Sequence, residues 1–164
     1  MSTIKKFLNL IFIDGLSGMA LGLFSTLIIG TILKQAADLI GGDFGYYLGV
    51  FAVMAQRLTG AGIGIGVAYK YKSSTYVTLS AAAAGMIGAY ATAIISGSIL
   101  SDGALVYSGP GDPLSAFIAA LAGIAVGSLP AGKTKLDLLI TPAVTIIAAG
   151  EGHIVGAGEL IAEV

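Results

Sequence analysis

The residues best suited to chemistry lie in a glycine-rich turn, Gly109-Pro110-Gly111-Asp112-Pro113. Asp112 is a favourable helix N-cap and Pro113 suits the first helical position, so a helix is predicted to begin here. The exposed N–H groups at such a helix end can hold an oxyanion. Asp112, with Gly109 and Gly111, is therefore interpreted either as a structural cap or as part of a binding site for a solute.

Arg57 is a second candidate, because it lies near the middle of an apolar stretch, residues 46–69. An arginine at the centre of a bilayer costs about 2.5–3.5 kcal/mol, so it is expected to face the protein interior and to have a partner. Asp14 is the other charge embedded in an apolar stretch, but it lies nearer one end, which argues against an ion pair. Arg57 is either a paired or snorkelling structural cation or a ligand for an anionic group of a solute.

Glycine occupies every second position of residues 60–66. As a helix, this segment would present two stripes of small residues, which let helices approach closely in lipid. Four glycines, however, cost roughly 3–4 kcal/mol of helix propensity relative to alanine. An unwound segment lining a cavity is the alternative, with Gly62 and Gly64 as flexible backbone beside a bound solute.

A second small-residue pattern repeats every four positions near the N-terminus, at Gly18, Gly22, Thr26 and Gly30. These residues fall on one face of a helix, where they favour close packing against another helix. A solute-lining face is the alternative interpretation.

Residues 127–134 satisfy the phosphate-binding pattern G-x-x-x-x-G-K-[ST]. That chemistry needs a strand before the loop, whereas the alanine-rich residues 113–126 indicate a helix, so nucleotide binding is a weak alternative. The sequence shows no set of nucleophile, histidine and acid, no pair of catalytic carboxylates and no metal-ligand spacing. We therefore predict no catalytic residue, no metal and no cofactor.

The composition excludes a soluble domain, because 56% of the 164 residues are hydrophobic and only 10% are charged. A soluble surface needs roughly 25% charged residues. Intrinsic disorder needs low hydrophobicity and high net charge, and the net charge here is −1. Nucleic acid is not an expected partner, since no global field attracts it. The predicted fold class is an all-α integral membrane protein within a lipid bilayer.

Five apolar stretches predict about five transmembrane helices, some of them broken or re-entrant: 11–33, 46–69, 76–100, 113–129 and 136–149. Alternate connecting segments hold six lysines against one. Because cytoplasmic loops are enriched in lysine and arginine, this split predicts a multi-pass protein of the plasma membrane with a cytoplasmic N-terminus.

Several runs together resemble the EIIC-like membrane proteins of the bacterial phosphotransferase system, the group that includes the perfringolysin O regulator. The runs are 12–24, 58–68, 84–89, 109–113 and 132–137, followed by Thr141-Pro142. The resemblance implies a sugar-permease-type membrane domain that receives phosphate from a separate IIB phosphocarrier protein. Family members are usually longer, so the chain resembles an N-terminal half.

From these observations, residues 1–149 are predicted to form an EIIC-like transmembrane domain and residues 150–164 an atypical C-terminal tail. The expected function is translocation of a small polar solute, a sugar, with a membrane-bound regulator or sensor that retains the permease fold as the alternative. Any enzymatic role is at most that of the membrane subunit of a sugar phosphotransferase system. Thin, glycine-rich helices leave faces without enough protein around them, so a homo-oligomer is expected, most simply a dimer.

Overall fold

A computed structural model describes residues 2–162 of the chain, with side-chain surroundings for residues 2–151. Its first element, α1, is one continuous helix of 38 residues, Thr3–Ile40. A rise of 1.5 Å per residue makes it about 57 Å long, which exceeds the ~30 Å hydrocarbon core of a bilayer. Two π-helical segments interrupt its α-helical hydrogen bonding, Leu10–Gly15 and Phe24–Ile28.

A tight turn connects α1 to the helix α2, Gly42–Arg57. Gly41 and Gly42 both have positive φ, +65° and +61°, so glycine is required at this reversal. The helix α3, Thr59–Lys70, follows after a bend of 52° at Leu58. The apolar stretch 46–69 is therefore a broken pair of helices, and its glycine-rich part is helical rather than unwound.

The apolar stretch 76–100 does not form one continuous helix. Helix α4, Thr75–Ala89, ends at Tyr90, and only the short helix α5, Ala91–Ile95, follows. Strands β1, Leu100–Ser101, and β2, Ala104–Leu105, then pair antiparallel. The two residues between them, Asp102 and Gly103, have φ of +50° and +77°, as a tight type I′ hairpin turn requires.

The last two helices are α6, Pro113–Gly127, and α7, Asp137–Ala162. Helix α6 begins at the predicted proline. Helix α7 contains Pro142 and is longer than the predicted stretch 136–149. The division of the chain at residue 149 stays a prediction, while the backbone continues as helix through that point; residues 163–164 lie outside the described residues.

The helices of the core cross where glycines remove all side-chain bulk. A Cβ added to Gly18 would lie 2.5 Å from the Gly66 carbonyl oxygen, and one added to Gly60 would lie 2.6 Å from that of Gly85. Gly22 is equally close to the backbone of Gly62. The interpretation of the Gly18–Gly22 face as a packing surface is confirmed.

Large apolar side chains cover the outside of the described chain, among them Phe12, Phe24, Phe44 and Phe51. By length and composition, one described helix, Thr3–Ile40, is long and apolar enough to cross a membrane. A second qualifies if the bent pair Gly42–Arg57 and Thr59–Lys70 counts as one span. The number of five spans therefore stays a prediction.

Candidate functional site

Three interruptions of the helices meet at the side chain of Tyr90. They are the α2–α3 bend at Leu58, the α4–α5 break and the turn before α6. The Tyr90 hydroxyl donates to the Gly109 carbonyl oxygen at 2.6 Å, and the Arg57 carbonyl oxygen lies 3.3 Å away. A phenol hydroxyl group has one hydrogen to donate. The hydrogen bond to Gly109 is therefore the principal one, and the Arg57 carbonyl oxygen is a weaker second acceptor of the same hydrogen. Tyr90 thus ties segments 33 and 19 residues away to the end of α4.

The turn before α6 is also fixed to α4 by its backbone. The Asp112 N–H donates to the Ala89 carbonyl oxygen at 2.8 Å. Gly111 has a φ of +76°, and a Cβ there would lie 2.7 Å from the same carbonyl oxygen. Glycine is therefore required at 111 by conformation and by space. We call Tyr90 together with residues 109–112 the latch.

The Asp112 side chain caps α6, as predicted. Its two carboxylate oxygens accept from the N–H groups of Leu114 at 3.0 Å and Ser115 at 3.3 Å, and from the Ser115 hydroxyl. The N-cap is confirmed. The carboxylate is nevertheless exposed to the outside of the chain, and its contact with a solute stays a prediction.

Arg57 lies at the last position of α2, at the edge of a cavity of about 620 Å³ between α1 and α2. Lys34, Asp38 and Tyr46 also line this cavity, with glycines on its α2 wall. Lys34 Nζ and Asp38 Oδ1 form an ion pair at 3.1 Å. Arg57 was expected to face the interior, but it is exposed, because the bend at Leu58 leaves the end of α2 outside the core. No Asp14–Arg57 ion pair forms among the described residues.

Gly62 and Gly64 lie at helix crossings. A Cβ on Gly62 would meet Thr26 Cγ2 at 2.7 Å, and one on Gly64 would overlap the backbone of Ala81. Neither lines the α1–α2 cavity. Their contacts favour packing, and a binding role for them stays a prediction.

The phosphate-binding pattern at 127–134 lacks its structural context. Helix α6 precedes it, and Gly127 packs directly against Thr145 of α7. Within residues 2–151, no group of three or more His, Asp or Glu side chains is arranged to hold a metal ion.

The central residue that sequence reasoning missed is Tyr90. It lies inside an apolar run with no flanking charge, and nothing nearby in the sequence indicates partners at 57 and 109. The cue that was present is turn chemistry. Gly97 has positive φ and lies inside the apolar stretch that hydropathy alone extends to residue 100, and Gly103 and Gly109 continue the turns after it.

Interrupted helices, an apolar exterior and glycine-packed crossings are typical of α-helical membrane proteins. A family model described as "Phosphotransferase system, EIIC" matches residues 13–158, most of the chain. The chain belongs to this EIIC family of the phosphotransferase system, and membership associates it with the membrane and with transport. No curated protein and no solved structure matches the chain.

Proposed function

We propose that the chain is a permease-type membrane domain that translocates a small polar solute, a sugar, in a phosphotransferase system. The observation that carries the proposal is the EIIC match over residues 13–158, which includes every part of the latch. Transporters bind solutes where helices are discontinuous, since interrupted helices bring backbone polar groups and helix ends to a cavity. The latch joins three such interruptions.

The proposed solute site includes Arg57, Gly109, Gly111 and Asp112. Arg57 is shared by two neighbouring features: its side chain lines the α1–α2 cavity and its carbonyl oxygen contacts Tyr90. A volume of about 620 Å³ falls within the ~300–1,000 Å³ of small-molecule sites. Guanidinium donors and a carboxylate acceptor suit the hydroxyl groups of a sugar.

Asp112 offers the sharpest test of this site. Asparagine and serine cap helices about as well as aspartate, so Asp112→Asn and Asp112→Ser should leave the melting temperature nearly unchanged. If the carboxylate contacts the solute, both variants should lose binding in a panel of radiolabelled sugars. The matched control is Asp102→Asn, which changes an exposed carboxylate in the β1–β2 turn. Full binding by Asp112→Asn would leave Asp112 as a cap and remove it from the site.

The permease function itself is tested by uptake. Proteoliposomes with the full chain should accumulate a sugar when a phosphorylated IIB protein is supplied on the side that the lysine-rich segments face. Binding of a sugar without uptake under any of these conditions would contradict translocation and favour the alternative, a membrane-bound regulator or sensor. A IIB phosphocarrier is the proposed partner because the EIIC family implies one.

We further propose a multi-pass arrangement in the plasma membrane with a cytoplasmic N-terminus. One groove of the structure is lined by Phe7, Lys72 and Ala131, among other residues, so the three lysine-bearing segments lie at one end of the molecule. The chain has no cysteine, so single cysteines report cleanly on topology. An impermeant thiol reagent applied to cells should label Ser101→Cys and spare Thr134→Cys. The opposite pattern would invert the proposed topology.

The proposed assembly is a homodimer. The hairpin formed by residues 29–57 exposes Phe44 by 69% and Phe51 by 60%, and α2 makes little contact with the remaining helices. A second copy can cover this apolar surface. Native mass spectrometry should give a dimer mass that Phe51→Ser weakens and that Phe12→Ser, equally exposed on α1, does not; a monomer mass in mild detergents and in nanodiscs would contradict the proposal.

A further inference from the structure

A second cavity lies at the lysine-rich end, away from the latch and the α1–α2 cavity. It is a groove of about 590 Å³ between the start of α1, the α3–α4 connection and one face of α6. Its walls are mainly apolar, with Phe7, Ile11, Leu121 and Ile124 among the lining residues. The groove is open at the surface of the chain, and no described segment fills it.

The positive charges of the chain gather around this groove. Lys72 lines it directly. Lys5 and Lys6 directly precede the lining residue Phe7 on α1, and Lys133 and Lys135 follow the lining residue Ala131. All five lysines are exposed.

Acidic groups do not balance these lysines. Asp137 and Asp14 are the carboxylates in the same segments, and the Asp137 carboxylate accepts the Thr141 hydroxyl at 2.5 Å within its own helix. Lys34 and Arg57 line the other cavity, and Lys70, the remaining lysine, ends α3 two residues before Lys72. The groove therefore combines an apolar floor with a rim of excess positive charge.

We propose that this groove binds one anionic phospholipid, with an acyl chain along the apolar walls and the headgroup phosphate held by the lysines of the rim. An acyl chain matches walls that offer few polar partners, and it packs against them by van der Waals contact. The headgroup matches the charge, since basic pockets between transmembrane helices bind anionic headgroups. A second copy of this chain carries the same lysines and would place like charges face to face at the rim, which disfavours it as the occupant.

The headgroup part of the proposal is tested on the full chain purified in a neutral detergent. Native mass spectrometry should show phosphatidylglycerol bound at least tenfold more tightly than phosphatidylcholine of the same acyl composition. Each rim lysine should contribute about fivefold to the affinity for phosphatidylglycerol. Lys72→Gln should therefore weaken phosphatidylglycerol binding by that factor and leave phosphatidylcholine binding unchanged. The matched control is Lys34→Gln, which removes a lysine at the other cavity and should change neither lipid. Equal binding of the two lipids by the unmodified chain would overturn the proposal.

The acyl-chain part is tested by filling the groove. Ala125 lines it on α6, whereas the neighbouring Val126 is exposed without lining it. Ala125→Phe should reduce phosphatidylglycerol binding at least tenfold, and Val126→Phe should not, with melting temperatures establishing that both variants are folded. Free glycerol phosphate, which has the headgroup and no acyl chain, should fail to compete. Competition by glycerol phosphate, or full lipid binding by folded Ala125→Phe, would show that the groove does not hold the acyl chain of the lipid.

Discussion

The glycine-packed core and the hairpin of residues 29–57 are built from similarly apolar sequence, yet they bury it in different ways. In the core, α3 crosses α1 and α4 with backbone against backbone, and Ile63 and Val67 are completely buried. In the hairpin, which we call the arm, the two helices contact each other while large side chains such as Phe44 face outward.

The difference shows that side-chain size decides which faces of a helix pack against other helices of the same chain. Glycines at 60, 64, 18 and 66 let neighbouring helices meet closely enough to exclude lipid. The bulky arm residues hold other helices away and leave an apolar surface for lipid or a second copy. Hydrophobicity alone does not distinguish the two regions. Small residues also line the contact inside the arm, where a Cβ on Gly45 would lie 2.6 Å from the Ala37 carbonyl oxygen. The regions differ in the bulky residues on the outward faces of the arm.

The largest effect is expected from adding one methyl group to the core. A Cβ at Gly64 overlaps the Ala81 carbonyl group, which belongs to a backbone that cannot move aside without separating α3 from α4. Gly64→Ala should therefore destabilise the protein by about 3 kcal/mol, although alanine favours helix more than glycine does. Thermal unfolding in detergent measures the change; an unchanged melting temperature would mean that the crossing is looser than described.

The connection between core and arm is expected to depend on one hydroxyl group. Tyr90→Phe removes the donor to Gly109 and the longer contact with the Arg57 carbonyl oxygen, and it should cost about 1–2 kcal/mol. The control is Tyr107→Phe. It keeps the ring contact with Tyr90, whose centroid lies 4.9 Å away, and leaves both carbonyl contacts intact. Equal losses in the two variants would show that the Tyr90 hydroxyl contributes no more than the Tyr107 hydroxyl, which would contradict the prediction.

The local features of this fold were predictable from the sequence. The start of α6 follows from Asp112 and Pro113, because a cap and a fixed φ act within a few residues. The small-residue face of α1 follows from the spacing of Gly18 and Gly22, which a helix places on one side. Each prediction concerned neighbouring residues along one helix.

The features that join distant segments were not predictable in this way. Tyr90 finds its partners at 57 and 109 only after α3 and α4 have packed, and no pattern in its own segment encodes them. Arg57 was expected to face the interior because it lies near the middle of the apolar stretch 46–69. The 52° bend at Leu58 ends the first helix of that stretch at the arginine itself.

An imperfection of the core gives a stabilising prediction. The Tyr71 hydroxyl is buried with no hydrogen-bond partner among the described residues, and it lies 2.6 Å from where a Cβ on Gly15 would be. Burial raises the pKa of the Tyr71 phenol and the Asp14 carboxylate raises it further, so the group remains a protonated, unpaired donor. Tyr71→Phe should stabilise the protein by about 1 kcal/mol, as measured by thermal unfolding.

The Gly15 contact supplies the control for that prediction. Gly15→Ala should be less damaging in the Tyr71→Phe background than alone, because the atom nearest to the new methyl group is then absent. Additive effects of the two substitutions would indicate that the hydroxyl is not in contact with Gly15, and a loss of stability in Tyr71→Phe would reveal a partner for the hydroxyl.

The smallest effect is expected where the comparison is most direct, at a glycine of the arm. Gly49 lies within α2, and a Cβ there would lie 3.7 Å from Ala37 Cβ, an ordinary van der Waals contact. Gly49→Ala therefore gains helix propensity without overlap, and stability should rise by less than about 1 kcal/mol. The same substitution at Gly64 has the opposite sign, since the neighbour there is backbone rather than a methyl group. Measured in one detergent by thermal unfolding, the pair separates the propensity gained from the space lost; a destabilised Gly49→Ala would mean that the arm is as tightly packed as the core.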